Sequence, residues 1–276
     1  MSDAQVRPLV SLITVVLNGG DAFRRTFESV FAQRYQPIEY IVIDGESTDG
    51  SVDLIKRHSD RIAYWVSEPD QGISDAFNKG IAAAKGDYIG LLNADDWLSP
   101  EQVEEAVRTL EASDAGFAFG DLLYHAPDGT PLHMIKGDPD YETKIKSLMP
   151  ALNHPTMLVR RSVFDDIGGF DQRYKVAMDY DWALRAHLAG YKGEYSKNIV
   201  GHMTLDGTSD RQFVRSLIEV RRIATSHGQN PLTAWPLFCS RVVKGMAQRL
   251  LHRFAPTSFY HALRGLINRD YQSVRS

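Results

Sequence analysis

Short apolar runs alternate with stretches of helical periodicity through residues 1–110 of the chain. Each run is short and ends at polar or turn-forming residues, which is typical of a buried strand. The predicted strands are Leu12 to Leu17, Tyr40 to Ile43, Ile62 to Val66 and Tyr88 to Leu92. Between them, apolar residues recur every three or four positions, as in an amphipathic helix. Ser74 is predicted to cap the helix that carries Phe77 and Ile81.

This alternation predicts parallel strands joined by right-handed crossovers, with helices on both faces of the sheet. Ligands of such sheets bind beyond the carboxyl ends of the strands. Polar residues follow each predicted strand there: Asn18, Asp44, Ser67 to Asp70, and Asn93 to Asp96. A single polar position is explained as well by its being in a loop. Because polar residues follow several successive strands, a binding site at this edge of the sheet is favoured.

The pattern changes in the second half of the chain. Between residues 120 and 150 it fades into Gly, Pro, Asp and His, and clear helical signals resume from His154 to Tyr191. The strand and helix alternation of the first half is absent. We predict that this half completes the same domain, which then comprises residues 1–230.

The remaining segment, residues 231–276, is predicted to be a basic amphipathic helical extension. Its basic residues are Arg241, Lys244, Arg249, Arg253, Arg264, Arg269 and Arg275, and Asp270 is its one acid. Phe238, Val242, Met246 and Leu250 share one helical face. Such a helix could lie on an anionic bilayer. Docking of its apolar face on the preceding domain or on a second subunit explains the pattern equally well.

Composition narrows the class of partner. The net charge of -4 gives no global basic field, so nucleic acid is not expected as a partner. Cys239 is the only cysteine, which excludes an internal disulfide and fits a reducing cytoplasm. No apolar run approaches the ~20 residues needed to cross a bilayer. We expect a cytoplasmic protein whose membrane contact, if any, is peripheral, on the inner face.

The loop Asn93-Ala94-Asp95-Asp96 carries the clearest candidate chemistry. The adjacent carboxylates of Asp95 and Asp96 repel each other unless something neutralises them. Magnesium or manganese, shared between carboxylates and substrate phosphates, would do so. The alternative is that the pair caps the following turn, which explains one carboxylate but not both.

The run from Val10 to Trp97 contains four motifs. In order they are Thr14-Val15-Val16-Leu17-Asn18, Ile43-Asp44-Gly45-Glu46-Ser47-Thr48-Asp49-Gly50-Ser51, Asp70-Gln71-Gly72-Ile73-Ser74-Asp75-Ala76-Phe77-Asn78-Lys79-Gly80 and Asn93-Ala94-Asp95-Asp96. Together they resemble the nucleotide-binding half of family-two glycosyltransferases. The likeness continues through Asn153-His154-Pro155-Thr156, Gly168-Gly169-Phe170-Asp171 and Asp179-Tyr180-Asp181-Trp182, over some two thirds of the chain.

The resemblance implies a GT-A fold, an α/β architecture with a Rossmann-like, mostly parallel sheet and helices on both faces. Residues 1–97 would be its nucleotide-binding half and residues 98–230 its acceptor-side half. It also implies a nucleotide-diphosphate sugar as donor, with Asp44 reading the base or ribose. The other positions that the resemblance places at the donor are Thr14, Asn18, Asp75, Asn78, Asn93 and Ala94. Asp75 begins a helix, where the helix dipole alone would also favour an acid.

Asp95 matches the residue of the family's Asp-x-Asp motif that binds Mn2+ or Mg2+ at the diphosphate. Asn93 departs from the first aspartate of that motif, from which we expect altered affinity without loss of function. His202 is a candidate third metal ligand or phosphate contact. A lone histidine is more often structural.

Asp179 matches the aspartate of the family's catalytic Glu-Asp motif, with Met178 in the place of the glutamate, and Asp181 is the alternative. The resemblance implies that Asp179 is the general base of an inverting transfer. The acceptor would be a hydroxyl of a glycan or lipid-linked molecule, in polysaccharide or envelope glycan biosynthesis, and one sugar would be added. Asp179 is also predicted to open a helix that ends near Gly190.

Three other classes of protein share some of these sequence features. A nicotinamide oxidoreductase is disfavoured, because no Gly-x-Gly-x-x-Gly follows the first strand. A nucleotidyltransferase needs similar metal chemistry, and only the Asp179 motif argues against it. A non-catalytic subunit that binds sugar nucleotides stays open, given Asn93 and Met178.

Overall fold

The computed structural model describes residues 7–204 and 212–230, and beyond them 232, 235–236, 238–240, 242–243 and 271–273. Strands of these residues join one sheet: β1 Val10–Val16, β2 Ile38–Asp44, β3 Tyr64–Ser67, β4 Tyr88–Asn93, β5 Asp96–Leu98, β6 Phe117–His125, β7 Pro131–Ile135, β8 Leu158–Arg160, β9 Gly193–Thr204 and β10 Tyr271–Ser273. The helices are α1 Gly20–Phe31, α2 Ser51–Arg57, α3 Ile73–Ala83, α4 Gln102–Glu111, α5 Tyr141–Lys144, α6 Arg161–Ile167, α7 Met178–Leu188 and α8 Phe213–Ser226.

The first four strands form the parallel half of the sheet, in the order β3-β2-β1-β4. Successive residues of β1 face opposite sides, as the period of a strand requires. Ile13 packs in a core cluster with Phe77 of α3, whereas Leu12 packs in a second cluster with Phe23 and Phe27 of α1. Helices therefore cover both faces, and the predicted α/β class is confirmed.

The second half of the sheet is mixed. Strand β8 runs antiparallel to β4, β6 and β7 continue in the antiparallel sense, and β9 runs parallel to β6. No strand was predicted around Gly120 and Asp121, because these two residues interrupt the apolar pattern of β6. Gly120 is required there because a side chain would overlap the Ile199 carbonyl. The Asp121 carboxylate accepts hydrogen bonds from Gly137 N and Tyr195 Oη.

Two predicted helix starts differ from the structure. Gly72 precedes α3, and the Ser74 hydroxyl donates to Tyr174 O instead of capping the helix, so that prediction was wrong. Asp179 does not open α7: it lies in the first turn, after Ala177 and Met178. Ser74 is engaged by a tertiary contact that local sequence patterns do not reveal, whereas Asp179 Oδ1 accepts a hydrogen bond from Tyr180 N, its neighbour in α7.

Most of the predicted helical extension, residues 231–276, lies outside the described residues. Residues 232, 235–236, 238–240 and 242–243 are described and helical, whereas Tyr271–Ser273 form a strand paired antiparallel with β7. The prediction of helix was therefore wrong for Tyr271–Ser273. Their backbone pairs with the outer edge of β7, so this edge of β7 is covered. None of the described helices has the length and apolar composition that crossing a membrane requires.

Candidate active site

The loops after β1 and β2 are fastened to each other by hydrogen bonds. Asn18 N donates to Ser47 Oγ at 2.8 Å, and Asn18 Oδ1 accepts from Thr48 N at 2.8 Å. Gly20 N donates to Asp49 Oδ2 at 2.7 Å. Asn18 has a φ of 53°, a left-handed conformation that asparagine tolerates better than most residues. Its amide oxygen thus fixes the shape of the loop pair.

Asp44 ends β2 and is fully buried. Its Oδ2 accepts hydrogen bonds from Ser47 N (3.0 Å) and Ser67 Oγ (2.6 Å). Its Oδ1 is buried and finds no partner within the part of the chain that the structure describes. A buried carboxylate oxygen without a donor is costly. Among the described residues, this oxygen is therefore an acceptor whose hydrogen-bonding capacity is unused.

Asp70 brings a further carboxylate to the same place. It follows β3, and its Oδ2 would lie 2.6 Å from a Cβ at Gly45. Glycine at position 45 thus lets the loops after β2 and β3 approach closely. Both loops leave the carboxyl edge of the sheet, as predicted from the strand pattern.

Three of the predicted donor residues have their side chains engaged within the protein. Thr14 is buried inside β1, where Tyr40 Oη lies 3.1 Å from Thr14 Oγ1. Asn78 exchanges two hydrogen bonds with the backbone of Phe170, at 2.8 and 2.7 Å. Asp75 accepts from Gln71 N and from Gln172 Nε2. Asn78 and Asp75 therefore connect α3 to the segment that leads into α7.

The loop between β4 and β5 is held by α1. The Thr26 hydroxyl lies 2.6 Å from Asp96 O and 2.9 Å from Ala94 O. Asn93 Nδ2 donates to Asp96 Oδ2 at 2.9 Å. Asp96 is fully buried, and this burial, together with the neighbouring charge of Asp95, raises its pKa well above the usual range. Asp96 therefore belongs to the support of the loop.

Asp95 is half-buried, and burial raises the pKa of its carboxyl group. Apart from its own backbone, no described residue donates a hydrogen bond to this carboxylate. Across the described ranges, no group of three His, Cys, Asp or Glu side chains is placed to hold a metal ion. The metal-ligating side chains present therefore fit a sparse metal site. In such a site, one carboxylate and the oxygens of a bound diphosphate share a hard divalent cation.

His202 lies opposite Trp97 in the pairing of β5 with β9. Its ring stacks on the indole, with the centroids 5.2 Å apart and the planes 6° from parallel. Its Nε2 lies 2.8 Å from Ser99 Oγ, and its Nδ1 lies 3.0 Å from His125 Nε2. Both ring nitrogens are engaged, so metal binding by His202 would require these contacts to open. Burial beside His125 lowers the pKa of His202 to about 4.

The support of this loop includes residues that the sequence did not single out. Arg25 of α1 covers the indole of Trp97, with its guanidinium carbon 4.1 Å from the ring centroid. His125 continues the chain of contacts from His202 to Gly129 O. A signal existed for Thr26: it is a polar residue beside Phe27 and three positions after Phe23, on the apolar face of α1.

Asp179 lies where α7 begins, beside the beginning of α3. Met178 Sδ is 3.0 Å from Ser74 Oγ. A small cavity is lined by Asp179, by Leu91 of β4, and by His154, Met157, Val159, Phe164, Phe170 and Trp182. These largely apolar surroundings raise the pKa of the Asp179 carboxyl group to about 6.

Asp181 has different surroundings, although it is only two residues away. Its side chain is 2% exposed and forms an ion pair with Arg185, with Oδ2 2.9 Å from Arg185 Nε. His227 Nε2 lies 3.2 Å from its other oxygen. Both oxygens of Asp181 are therefore occupied, in contrast to the Asp179 carboxylate, which has no cationic partner among the described residues.

The family model described as Glycosyl transferase family 2 matches residues 11–168. The chain belongs to glycosyl transferase family 2. The matched residues include Asp44, the loop fastened by Asn18, and Asn93 to Asp96. Asp179 and His202 follow the matched range. The range matched by the family model thus includes the parallel half of the sheet and the polar residues at the carboxyl ends of its strands.

Curated family 2 relatives extend the likeness. An uncharacterized glycosyltransferase of Mycobacterium tuberculosis is 36% identical over 189 residues, which is 66% of this chain and 70% of the relative. TuaG of Bacillus subtilis, named for a role as a teichuronic acid biosynthesis glycosyltransferase, is 31% identical over 147 residues, covering 51% of this chain and 58% of TuaG.

A solved structure shows the same fold. The mannosyltransferase PcManGT from Pyrobaculum calidifontis, in complex with GDP-Man and Mn2+, superposes with a TM-score of 0.62 and 19% identity. The superposition covers 95% of this chain and 76% of PcManGT. The predicted GT-A fold, mostly parallel with some antiparallel strands, is therefore confirmed.

Proposed function

We propose that this family 2 glycosyltransferase transfers one sugar, with inversion, from a nucleotide-diphosphate sugar to a hydroxyl of a glycan or lipid-linked acceptor. The observation that carries the proposal is a set of three carboxylates in three different environments. Asp44 has an unpartnered oxygen, Asp95 has no cationic partner among the described residues, and Asp179 has an elevated pKa. These are the features required to bind a nucleotide, to share a cation and to accept a proton.

Asp44 is the donor-binding residue in this proposal. Its Oδ2 is held by Ser47 and Ser67, so its Oδ1 presents a fixed acceptor to an N–H of the base or to a ribose hydroxyl. The complex of PcManGT with GDP-Man supports a nucleotide sugar as ligand of this fold. The name of TuaG supports a role in cell-envelope polysaccharide synthesis.

Asp95 is the residue that would hold Mn2+ or Mg2+. When bound, the cation would stabilise the negative charge that develops on the departing diphosphate. The protein's own contribution is the placement of the loop, because the Thr26 hydroxyl anchors its backbone to α1 and the absence of a side chain at Gly19 lets Ala94 approach closely.

Asp179 is the proposed general base. The acceptor oxygen attacks the anomeric carbon, the bond from that carbon to the phosphate oxygen breaks, and the acceptor proton passes to Asp179. A base is most effective when its pKa lies near the working pH. The pKa of about 6 therefore suits Asp179 for this role better than an ordinary exposed aspartate.

The donor and metal assignments are tested together by a thermal-shift and turnover screen of UDP-, GDP- and dTDP-sugars with and without Mn2+. A ligand that binds only the folded protein raises its melting temperature. We expect one nucleotide class to stabilise the wild type in a metal-dependent way, and Asp95→Ala to lose the metal dependence. Full turnover in excess EDTA, or in Asp95→Ala, would show that the metal assignment is wrong. Donor binding without any turnover would instead favour a non-catalytic subunit.

We also propose that the protein contacts the inner face of an anionic membrane peripherally, where a lipid-linked acceptor would be found. Eleven of the 31 Lys and Arg residues, but only two of the 35 acidic residues, follow position 210. On the outer face of α8, Val214 and Ile218 are 50% and 37% exposed, and Arg222 is exposed one turn further on. Apolar and basic groups on one face are the combination that anionic bilayers bind.

A further inference from the structure

A buried acid from α8 lies against the segment that enters α7. Glu219 is 5% exposed, and its carboxylate accepts hydrogen bonds from three consecutive backbone N–H groups. Its Oε2 lies 3.1 Å from Lys175 N, 2.8 Å from Val176 N and 3.0 Å from Ala177 N. Burial alone would raise the pKa of Glu219, yet these N–H groups and Arg215 hold it below the usual range. The carboxylate is therefore bound as an anion.

This contact replaces a local cap. The first N–H groups of a helix and those just before it have no intrahelical partner. Ala177 precedes α7 and has no side chain that could accept from them. Glu219 supplies the acceptor from another helix, 42 residues later in the chain. The entry of α7 is thus fixed by α8.

The same segment also contacts the beginning of α3. Lys175 Nζ donates to Gln71 O at 2.7 Å, and Ser74 Oγ donates to Tyr174 O at 3.0 Å. The segment that Glu219 holds therefore contacts the beginning of α3 and the loop before it, through Tyr174 O and the Lys175 side chain. Asp179 follows two residues after Ala177, the last residue of the segment. Rotation of this segment would move both the loop before α3 and Asp179.

We propose that Glu219 is a positioning residue, which sets the location of Asp179 by fixing the backbone of residues 175–177. The inference rests on the proposed role of Asp179 as base. Misplacing a reacting group by about 1 Å can cost on the order of 10²-fold in rate. Loss of the Glu219 carboxylate should therefore lower the transfer rate far more than donor affinity.

The test compares Glu219→Ala and the isosteric Glu219→Gln with two controls. Val220→Ala trims a neighbouring buried side chain of α8 that packs in the same core cluster as Ala177 but makes no hydrogen bond to the segment. Arg215→Ala removes the ion-pair partner of Glu219 and leaves its three backbone contacts intact. If Glu219→Ala does not fold, Glu219→Gln still lacks the charge and presents an N–H group in place of one acceptor.

The first readout is amide hydrogen exchange, which needs no acceptor. We expect faster exchange at residues 175–181 in the Glu219 variants than in the wild type. In Val220→Ala, compared with a Glu219 variant of the same melting temperature, exchange at these residues should be unchanged from the wild type. The second readout is release of nucleoside diphosphate from the donor found in the screen. We expect kcat to fall by roughly 10- to 100-fold with donor KM unchanged, and Arg215→Ala to retain wild-type kcat.

The outcomes separate the two proposals. Wild-type exchange at residues 175–181 in both Glu219 variants overturns the inference, whatever the enzyme does. Faster exchange with wild-type kcat overturns it as well, and leaves the proposed function intact. If the wild type turns over no donor, the proposed function fails, while the exchange experiment still decides whether Glu219 holds this segment.

Discussion

Asp179 and Asp181 lie two residues apart in one helix, yet their surroundings are opposite. Arg185 and His227 engage both oxygens of Asp181. Asp179 accepts one hydrogen bond, from Tyr180 N, and otherwise faces Leu91, Phe170 and Trp182, which offer its charge no compensation. Sequence alignment to a motif can name both residues, but only the packing around them distinguishes a carboxylate in an ion pair from one in largely apolar surroundings.

The prediction at this position is that Asp179→Asn still binds donor while transfer falls by roughly 10²- to 10⁴-fold, the contribution of a positioned base. Because the base must be ionised, wild-type kcat should rise with pH and level off above the pKa of about 6. Steady-state kinetics across pH measures both. Asp181→Asn is the comparison: if it loses the rate while Asp179→Asn remains active, the base is Asp181.

The same substitution has a consequence for stability. Burial raises the pKa of Asp179 from 3.8 to about 6, so the folded state binds this proton more tightly than the unfolded state does. Ionising Asp179 therefore reduces stability as the pH rises through that window, and the loss is complete above it. Above pH 7, Asp179→Asn should melt at a higher temperature than the wild type, whereas at pH 4 the two should be similar.

At the scale of elements, the strands of the parallel half could be predicted because their apolar runs are continuous and end at turns. The placement of Asn18, Asp44 and Asp95 at the carboxyl ends of their strands followed from that topology alone. The mixed half could not be predicted in this way. Gly120 and Asp121 interrupt β6 for reasons that depend on Ile199 and Tyr195, which are about 75 residues away in sequence.

The candidate site was predicted only in part for a related reason. Residue types and motif order predict roles for Asp44, Asp95 and Asp179, and these roles stay predictions. They did not reveal that Asn78 and Asn18 are engaged in holding loops, because a hydrogen-bonding side chain looks the same in a sequence whether its partner is a ligand or a backbone group. Glu219 was missed because it caps a helix other than its own.

The anchor between α1 and the Asp95 loop gives a prediction at this scale. Thr26→Val keeps the side-chain shape but removes the hydroxyl that lies 2.6 Å from Asp96 O. We expect a loss of about 1–3 kcal/mol in the free energy of unfolding, the usual result of leaving a buried group unpaired. We also expect weaker metal-dependent donor binding, measured by titration calorimetry.

Thr109→Val is the matched control. The Thr109 hydroxyl donates to Glu105 O within α4, away from the Asp95 loop. It should leave donor binding unchanged. Equal donor affinity in Thr26→Val and the wild type would show that α1 does not set the geometry of the loop.

For the whole molecule, the concentration of basic residues after position 210 predicts binding to anionic vesicles. The intact protein should sediment with phosphatidylserine vesicles at low salt, and high salt should release it, because screening weakens such attraction. Arg222→Glu, on the outer face of α8, should reduce binding. Lys85→Glu makes the same charge change at an exposed position outside α8 and should not. Failure of the intact chain to bind at low salt removes the membrane proposal.

The pairing of β10 with β7 affects how such experiments can be designed. Tyr271–Ser273 occupy the outer edge of β7, so the last strand of the sheet comes from the end of the chain. Deleting residues 231–276 to remove their basic side chains would also expose the backbone of His133 to Ile135. Exposed strand edges pair with other chains, and the truncated protein would be prone to self-association. Charge substitutions that leave this edge covered, and affinity tags at the other terminus, avoid mistaking aggregation for a loss of membrane binding.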